Sequence, residues 1–71
     1  MDWEQVEANW DLLQGKAREY WGRLTDEDMA GIQGNRDRLI SCLERRYKMT
    51  TDQAQRHVDG WMRTLTRFRA A

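Results

Sequence analysis

Cys42 and His57 are the only cysteine and the only histidine in this 71-residue chain. A thiol and an imidazole can serve as nucleophile and general base, but such a pair also needs a group that orients the base and a pocket for the developing oxyanion. The sequence offers no orienting group, and we interpret Cys42 as a packed thiol on a helix. We therefore predict no catalytic residue and a protein that is not an enzyme.

Metal ligands are also sparse. A structural zinc site uses four Cys or His ligands, and a calcium loop spreads its oxygen ligands over about 12 residues. The run Asp26–Asp28 comes directly after Thr25, which is the arrangement typical of a helix N-terminus, where the dipole favours acidic side chains. We predict neither a metal site nor a cofactor, and the single cysteine cannot form an internal disulfide.

The charges cancel in total but are divided along the chain. Residues 1–28 carry eight acidic and three basic side chains, whereas residues 29–71 carry four acidic and nine basic ones. The basic half could contact nucleic-acid phosphates through Arg36, Arg38, Arg45, Arg46, Arg56, Arg63 and Arg67. However, the acidic half repels a polyanion, and a net charge of zero is unlike that of a nucleic-acid module. A solvated surface is the favoured interpretation, and nucleic-acid association is the alternative.

Four tryptophans could stack on the bases of a single-stranded nucleic acid. Trp10, Trp21 and Trp61 lie on or beside apolar stripes, however, and the chain is poor in aliphatic side chains. We therefore place these three in the core. Trp3 lies near the terminus, where either exposure or burial is consistent with the pattern.

Apolar residues recur at steps of three and four, which indicates amphipathic helices, and no segment alternates as a strand does. The stripes are Trp3, Val6, Trp10, Leu13, Ala17, Tyr20 and Leu24; then Leu39, Ile40, Leu43 and Tyr47; then Ala54, Val58, Trp61, Leu65 and Phe68. We predict an all-α fold, a small compact bundle of about four helices in a single domain spanning residues 1–71.

The expected helix ends follow from capping residues and glycines. The predicted N-caps are Asp2, Thr25 and Thr50, with Asn35 as a further candidate. Gly22 is predicted to end the first helix by adopting a positive φ, and Gly15 to loosen its middle. The second helix should end near Gly34 and the third near Tyr47.

The start of the chain lacks the basic and apolar segments of a secretory signal, and apolar residues never run beyond two together. We expect a cytoplasmic monomer that does not enter membranes and that has a protein partner, if any, of unknown identity. The sequence leaves open whether its divided charge drives self-association.

Many residues resemble the CsbD-like family of small bacterial general-stress proteins. They are Asn9, Trp10, Gly15, Lys16, the block Trp21–Asp28, Ile32, Gly34, Arg36, Asp37, Leu39, Arg46, Tyr47, Ala54, Val58 and Trp61. The match is free of gaps from Asn9 to Trp61. The resemblance implies a cytoplasmic bacterial protein made under stress or on entry to stationary phase, with a fold similar to the two orthogonal helix hairpins of SAM-like domains. It implies no catalytic residue, cofactor or ligand. Our leading hypothesis is a stress-response protein that acts by binding or protection.

The chain departs from the family pattern at several positions. Lys48 stands where glycine usually follows the tyrosine, so we expect a non-glycine residue in the left-handed conformation there, at a cost of roughly 1 kcal/mol. Ser41 and Cys42 replace a glycine and a lysine, Asn35 replaces a lysine, and His57 replaces an acid. These changes argue against a special role for Cys42 or His57.

Overall fold

A computed structural model describes residues 2–70 of the chain and the side chains of residues 2–65. Within this part the chain forms helices and no strand, which confirms the predicted all-α class. The helices are α1 (Trp3–Ala8), α2 (Trp10–Tyr20), α3 (Asp26–Ile32), α4 (Arg36–Tyr47) and α5 (Thr51–Ala70). The side chains of Arg67 and Phe68, a possible phosphate contact and a predicted core residue, lie outside the described residues.

The segment predicted as the first helix is divided into α1 and α2. The described part of the chain therefore contains five helices, whereas about four are predicted. The division falls at Asn9, which has φ −112° and ψ 23°. Its side-chain Nδ2 donates a hydrogen bond to the Gln5 carbonyl at 2.9 Å. Asparagine side chains compete with the backbone for such carbonyls, which explains a break here. Gly15, the residue expected to loosen the helix, lies inside an unbroken α2.

The end of α2 differs from the prediction. Gly22 does not adopt a positive φ; among the described residues, Gln33, Gly34 and Lys48 do. Trp21 instead leaves the helix with φ −116° and ψ 84°, and its indole is buried in the core. Tyr20, predicted on the buried stripe, is 46% exposed. Because the backbone turns at Trp21, the tryptophan and not the tyrosine covers the core.

The helix N-termini have the predicted caps. Reciprocal side-chain to backbone hydrogen bonds join residues three apart in the pairs Asp2–Gln5, Thr25–Asp28 and Thr50–Gln53. Asn35 caps α4 by accepting a hydrogen bond from the Arg38 backbone N–H at 3.0 Å. Each cap satisfies helix N–H groups that have no partner within the helix, which is typically worth about 1 kcal/mol.

Four tryptophans meet at the centre of the core. The ring of Trp61, which is 1% exposed, lies 6.2 Å from Trp3, 6.4 Å from Trp10 and 5.3 Å from Trp21 between centroids. This confirms the core positions predicted for Trp10, Trp21 and Trp61. Trp3 is half-buried, and its Nε1 donates a hydrogen bond to the Gly34 carbonyl at 2.8 Å. The short α1 is thereby tied to the turn between α3 and α4.

The longest helix, α5, has 20 residues and is amphipathic. Ala54, Val58, Trp61 and Leu65 are buried along one side, whereas Arg56 is exposed on the other. None of the helices in the described residues has the length and the apolar run needed to cross a bilayer.

Lys48 has φ 54° and ψ 45°, the left-handed conformation predicted for it. We expect Lys48→Gly to raise the free energy of unfolding by about 0.5 to 1 kcal/mol, because glycine adopts this conformation without steric cost. Part of the gain is offset by the greater freedom of glycine in the unfolded chain. Urea unfolding monitored by far-UV circular dichroism measures the change.

Gln55→Gly is the control for this substitution, since Gln55 is an exposed residue within α5. Glycine inside a helix costs roughly 1 kcal/mol, so this variant should lose stability. If Lys48→Gly lowered the free energy of unfolding as much as Gln55→Gly does, there would be no steric cost at Lys48.

Candidate functional site

An open groove between α3 and α4 gathers several of the side chains that the sequence singles out for chemistry. It is lined by Glu27, Asp28, Gly31, Asp37, Arg38, Ser41, Cys42, Arg45 and Arg46. The acidic residues are contributed by the first turns of both helices, where the helix dipole favours them. The arginines are contributed by α4 alone. The groove is therefore mixed in charge.

The main contact across the groove is an ion pair between Asp28 and Arg46. The Arg46 Nε and Nη2 atoms donate hydrogen bonds to the two Asp28 carboxylate oxygens at 2.8 and 3.0 Å. The same carboxylate accepts a hydrogen bond from the Thr25 backbone N–H at 3.1 Å. Only 9% of the Asp28 side chain is exposed. Asp28 therefore joins the N-terminus of α3 to the last turn of α4.

This arrangement shifts the pKa values of both partners. The Arg46 hydrogen bonds lower the pKa of Asp28 from 3.8 to about 2, even though burial acts in the opposite direction. The Asp28 carboxylate in turn raises the pKa of Arg46 above its ordinary value. Both shifts favour the charged forms, so neither group is poised to exchange a proton near neutral pH.

We expect Asp28→Asn to lower the free energy of unfolding at pH 7 by about 1 to 2 kcal/mol. This is less than the whole pKa shift would imply, because Arg46 remains about half exposed. The folded-state pKa is the lower one, so the stabilisation is present above the unfolded pKa near 3.8 and is lost as the pH falls through about 2. Urea unfolding of both proteins between pH 7 and pH 2 measures it.

The difference between wild type and Asp28→Asn should therefore shrink as the pH falls from about 4 towards 2. Asp52→Asn is a suitable control, since the Asp52 side chain is 81% exposed and lies 3.9 Å from Arg56. A pH-independent difference for Asp28→Asn would show that the ion pair is not its source.

Cys42 and His57 do not come together. Cys42 is 6% exposed and lines the groove between α3 and α4, where Arg45 Nη2 lies 3.5 Å from its sulfur. His57 is exposed and lines a different groove, at the corner between α4 and α5. The fold thus places the two groups in separate surroundings.

Three of the seven arginines considered for phosphate contact lie in the groove between α3 and α4. Arg46 is held by Asp28, as described above. Arg38 Nη1 donates a hydrogen bond to the Gly31 carbonyl at 3.1 Å, and Arg45 contacts Cys42. These contacts use some of the N–H donors with which the arginines would otherwise bind a phosphate.

The other arginines are dispersed over α4 and α5. Arg36 pairs with Asp59 at 3.5 Å, and Arg56 with Asp52. Arg63 is exposed. The six candidates whose side chains are described are thus divided between the groove of α3 and α4, the Arg36–Asp59 pair and exposed positions on α5.

The acidic run at the start of α3 is also engaged by arginines. Asp26 pairs with Arg18, and Asp28 with Arg46. Across the described residues, no group of three or more His, Cys, Asp or Glu side chains is placed to hold a metal ion.

A second contact of this region has no counterpart in the sequence predictions. The Arg23 backbone N–H donates a hydrogen bond to the Tyr47 hydroxyl at 3.2 Å, and the Arg23 guanidinium lies 5.6 Å from the centre of the Tyr47 ring. Together with the Asp28–Arg46 pair, it fastens the loop between α2 and α3 to the end of α4. Arg23 and Asp28 both lie in the block Trp21–Asp28, which is part of the family resemblance. That block is the feature of the sequence that points to these two contacts.

No family model matches the chain, but individual relatives do. It is 43% identical over 61 residues to the UPF0337 protein YjbJ of Escherichia coli O6:H1, covering 86% of this chain and 88% of the relative. It is 46% identical over 65 residues to the UPF0337 protein RPA4217 of Rhodopseudomonas palustris, covering 92% and 98%. A third relative, the UPF0337 protein ECA0631 of Pectobacterium atrosepticum, is 39% identical over 61 residues, covering 86% and 88%.

Proposed function

The chain belongs to the UPF0337 family of small bacterial proteins, and from this membership we propose that it is a CsbD-like general stress-response protein. It acts in the cytoplasm by binding or protecting a cellular component, without catalytic turnover. The proposal rests on the gap-free resemblance from Asn9 to Trp61 described above. The relatives' names state no activity, so the chemistry of the surface supplies the rest of the argument.

One observation carries the non-catalytic part of the proposal. The groove with the most reactive side chains is spanned by the Asp28–Arg46 ion pair, and both groups stay charged near neutral pH. General acid–base catalysis instead needs a group whose pKa lies near the working pH. The groove is thus suited to holding α3 and α4 together, which supports an action without catalytic turnover.

A strain that lacks this chain tests the role in stress. We expect the abundance of the chain to rise several-fold between exponential growth and stationary phase, and survival of stationary phase to fall without it. Unchanged abundance and unchanged survival would contradict the proposal.

Complementation of that strain separates binding from catalysis. The double variant Cys42→Ser, His57→Gln removes the nucleophile and the imidazole but keeps similar side-chain volumes. We expect it to restore survival as fully as the wild type, provided that both reach equal abundance. Failure of a folded double variant to do so would contradict a non-catalytic role.

Nucleic-acid association through the arginines is measured on the purified chain. We expect no binding to duplex or single-stranded DNA at physiological salt. Binding that falls steeply as salt is raised would favour the alternative function, because each phosphate contact releases counterions.

A further inference from the structure

An acidic groove lies where α1 and α2 meet α3. Glu7 and Asp11 line it, together with uncharged residues that include Gln14, Ala30 and Gln33. Glu7 and Asp11 are exposed, and neither has an ion-pair partner among the described residues. None of the described residues that line this groove is basic. Two carboxylates without a cation therefore face solvent from the same groove.

A basic groove lies at the corner where α4 ends and α5 begins. Lys48, Arg56 and His57 line it, beside the half-buried Tyr47 and Met49. None of its described lining residues is acidic. Asp52 lies nearby and pairs with Arg56, but at 3.9 Å and with both side chains 81% exposed. A pair of that kind is weak, so Arg56 remains able to meet another carboxylate.

We propose that this chain self-associates, with the basic groove of one copy docked on the acidic groove of another. Each copy carries both members of the complementary pair, Lys48 and Arg56 on one side and Glu7 and Asp11 on the other. The net charge is zero, so two copies approach without overall repulsion. The contact also brings cations to two carboxylates that have no ion-pair partner among the described residues.

This assignment goes beyond the stress-response proposal and does not depend on it. It replaces the simple monomer expected from the sequence with a reversible equilibrium. Because exposed charges supply the contact, added salt weakens it, and association is strongest at low ionic strength. The half-buried Tyr47 and Met49 beside the basic groove supply apolar area to the contact.

Sedimentation equilibrium of the purified full chain tests the proposal. At low ionic strength we expect the weight-average mass to rise above that of the monomer as protein concentration increases. At about 0.5 M salt, where charges are screened within several ångströms, it should return to the monomer value. A monomer at every concentration in low salt would overturn the proposal.

Charge reversal locates the contact. Glu7→Lys, Asp11→Lys makes both grooves basic, and Lys48→Glu, Arg56→Glu makes both acidic. We expect each double variant to lose the rise in mass. The quadruple variant with all four substitutions exchanges the two grooves and keeps a net charge of zero, so we expect it to associate as the wild type does.

A further control separates position from net charge. Glu19→Lys, Glu27→Lys changes the net charge as much as Glu7→Lys, Asp11→Lys, but at exposed acids outside the acidic groove. We expect it to keep the rise in mass. Far-UV circular dichroism confirms the fold of each variant. If Glu7→Lys, Asp11→Lys fails to fold, the neutral double variant Glu7→Gln, Asp11→Asn is measured in its place. The proposed contact would be refuted if the control lost the rise in mass as fully as Glu7→Lys, Asp11→Lys does. It would also be refuted if the quadruple variant folded but stayed monomeric.

Discussion

Trp61→Ala is expected to unfold the domain at room temperature. Trp61 is buried and contacts Trp3, Trp10 and Trp21 through its ring, so its removal leaves a cavity where α1, α2 and α5 meet. Truncating a buried tryptophan costs about 3 to 5 kcal/mol. A single core of this size supplies about 3 to 5 kcal/mol in total, so the loss is comparable to the whole stability.

Far-UV circular dichroism at 25 °C, followed by urea unfolding, measures this effect. Trp61→Phe keeps an aromatic ring at the position and should retain the helices with a smaller loss of stability. Tyr20→Ala is the control for an aromatic ring at the surface, because Tyr20 is 46% exposed. A Trp61→Ala variant with the helicity and urea midpoint of the wild type would show that the tryptophan cluster does not hold the core together.

Leu39→Ala is expected to have the next largest effect. Leu39 on α4 has no exposed surface and belongs to the same core as the tryptophans. Substitutions of this kind cost about 2 to 5 kcal/mol, because they remove apolar contacts and leave a cavity. The urea midpoint of Leu39→Ala should therefore fall far below that of the wild type, or the chain should be unfolded without urea.

Leu12→Ala is the matched control, since it is the same chemical change at a side chain that is 79% exposed on α2. We expect it to alter stability by no more than about 0.5 kcal/mol. Similar losses in the two leucine variants would contradict the burial described for Leu39.

The helix caps are features that residue types and their spacing predict correctly. Thr25 and Thr50 are recognisable as N-caps from their residue types, and both caps form. The reciprocal hydrogen bond from the Thr25 backbone N–H to Asp28 is shown by the structure alone. The left-handed conformation of Lys48 is also predicted, but from the family resemblance, in which a glycine usually stands at this position. Such interactions lie within one helical turn, so the spacing of residues along the chain is enough to define them.

The break at Asn9 and the course of the chain at Trp21 show where local patterns mislead. The apolar stripe continues across Asn9 because Val6, Trp10 and Leu13 are all buried, so periodicity alone does not reveal the interruption. At Gly22 the conformational freedom of glycine predicts a helix stop, whereas the burial of the Trp21 side chain determines the turn.

The candidate site depends still more on tertiary structure. Asp28 carries the local signal of a helix N-terminus and Arg46 that of a possible phosphate contact, but their pairing joins residues 18 apart. Trp3 and Gly34 are 31 apart. Gly34 has φ 79°, which L side chains rarely adopt, and an added Cβ there would also lie 3.3 Å from the Trp10 Cβ, so a side chain would be strained by the backbone and crowded by a neighbouring helix.

The sequence alone is thus sufficient for the helical class, the apolar faces, the caps and the division of charge between the two halves. The tertiary structure decided which arginine meets which carboxylate, and it gathered Glu7 with Asp11, and Lys48 with Arg56, into two grooves of opposite charge. The physical reason is one of range. Helix propensity and capping act between near neighbours in the chain, whereas ion pairs and grooves depend on how the helices pack against one another.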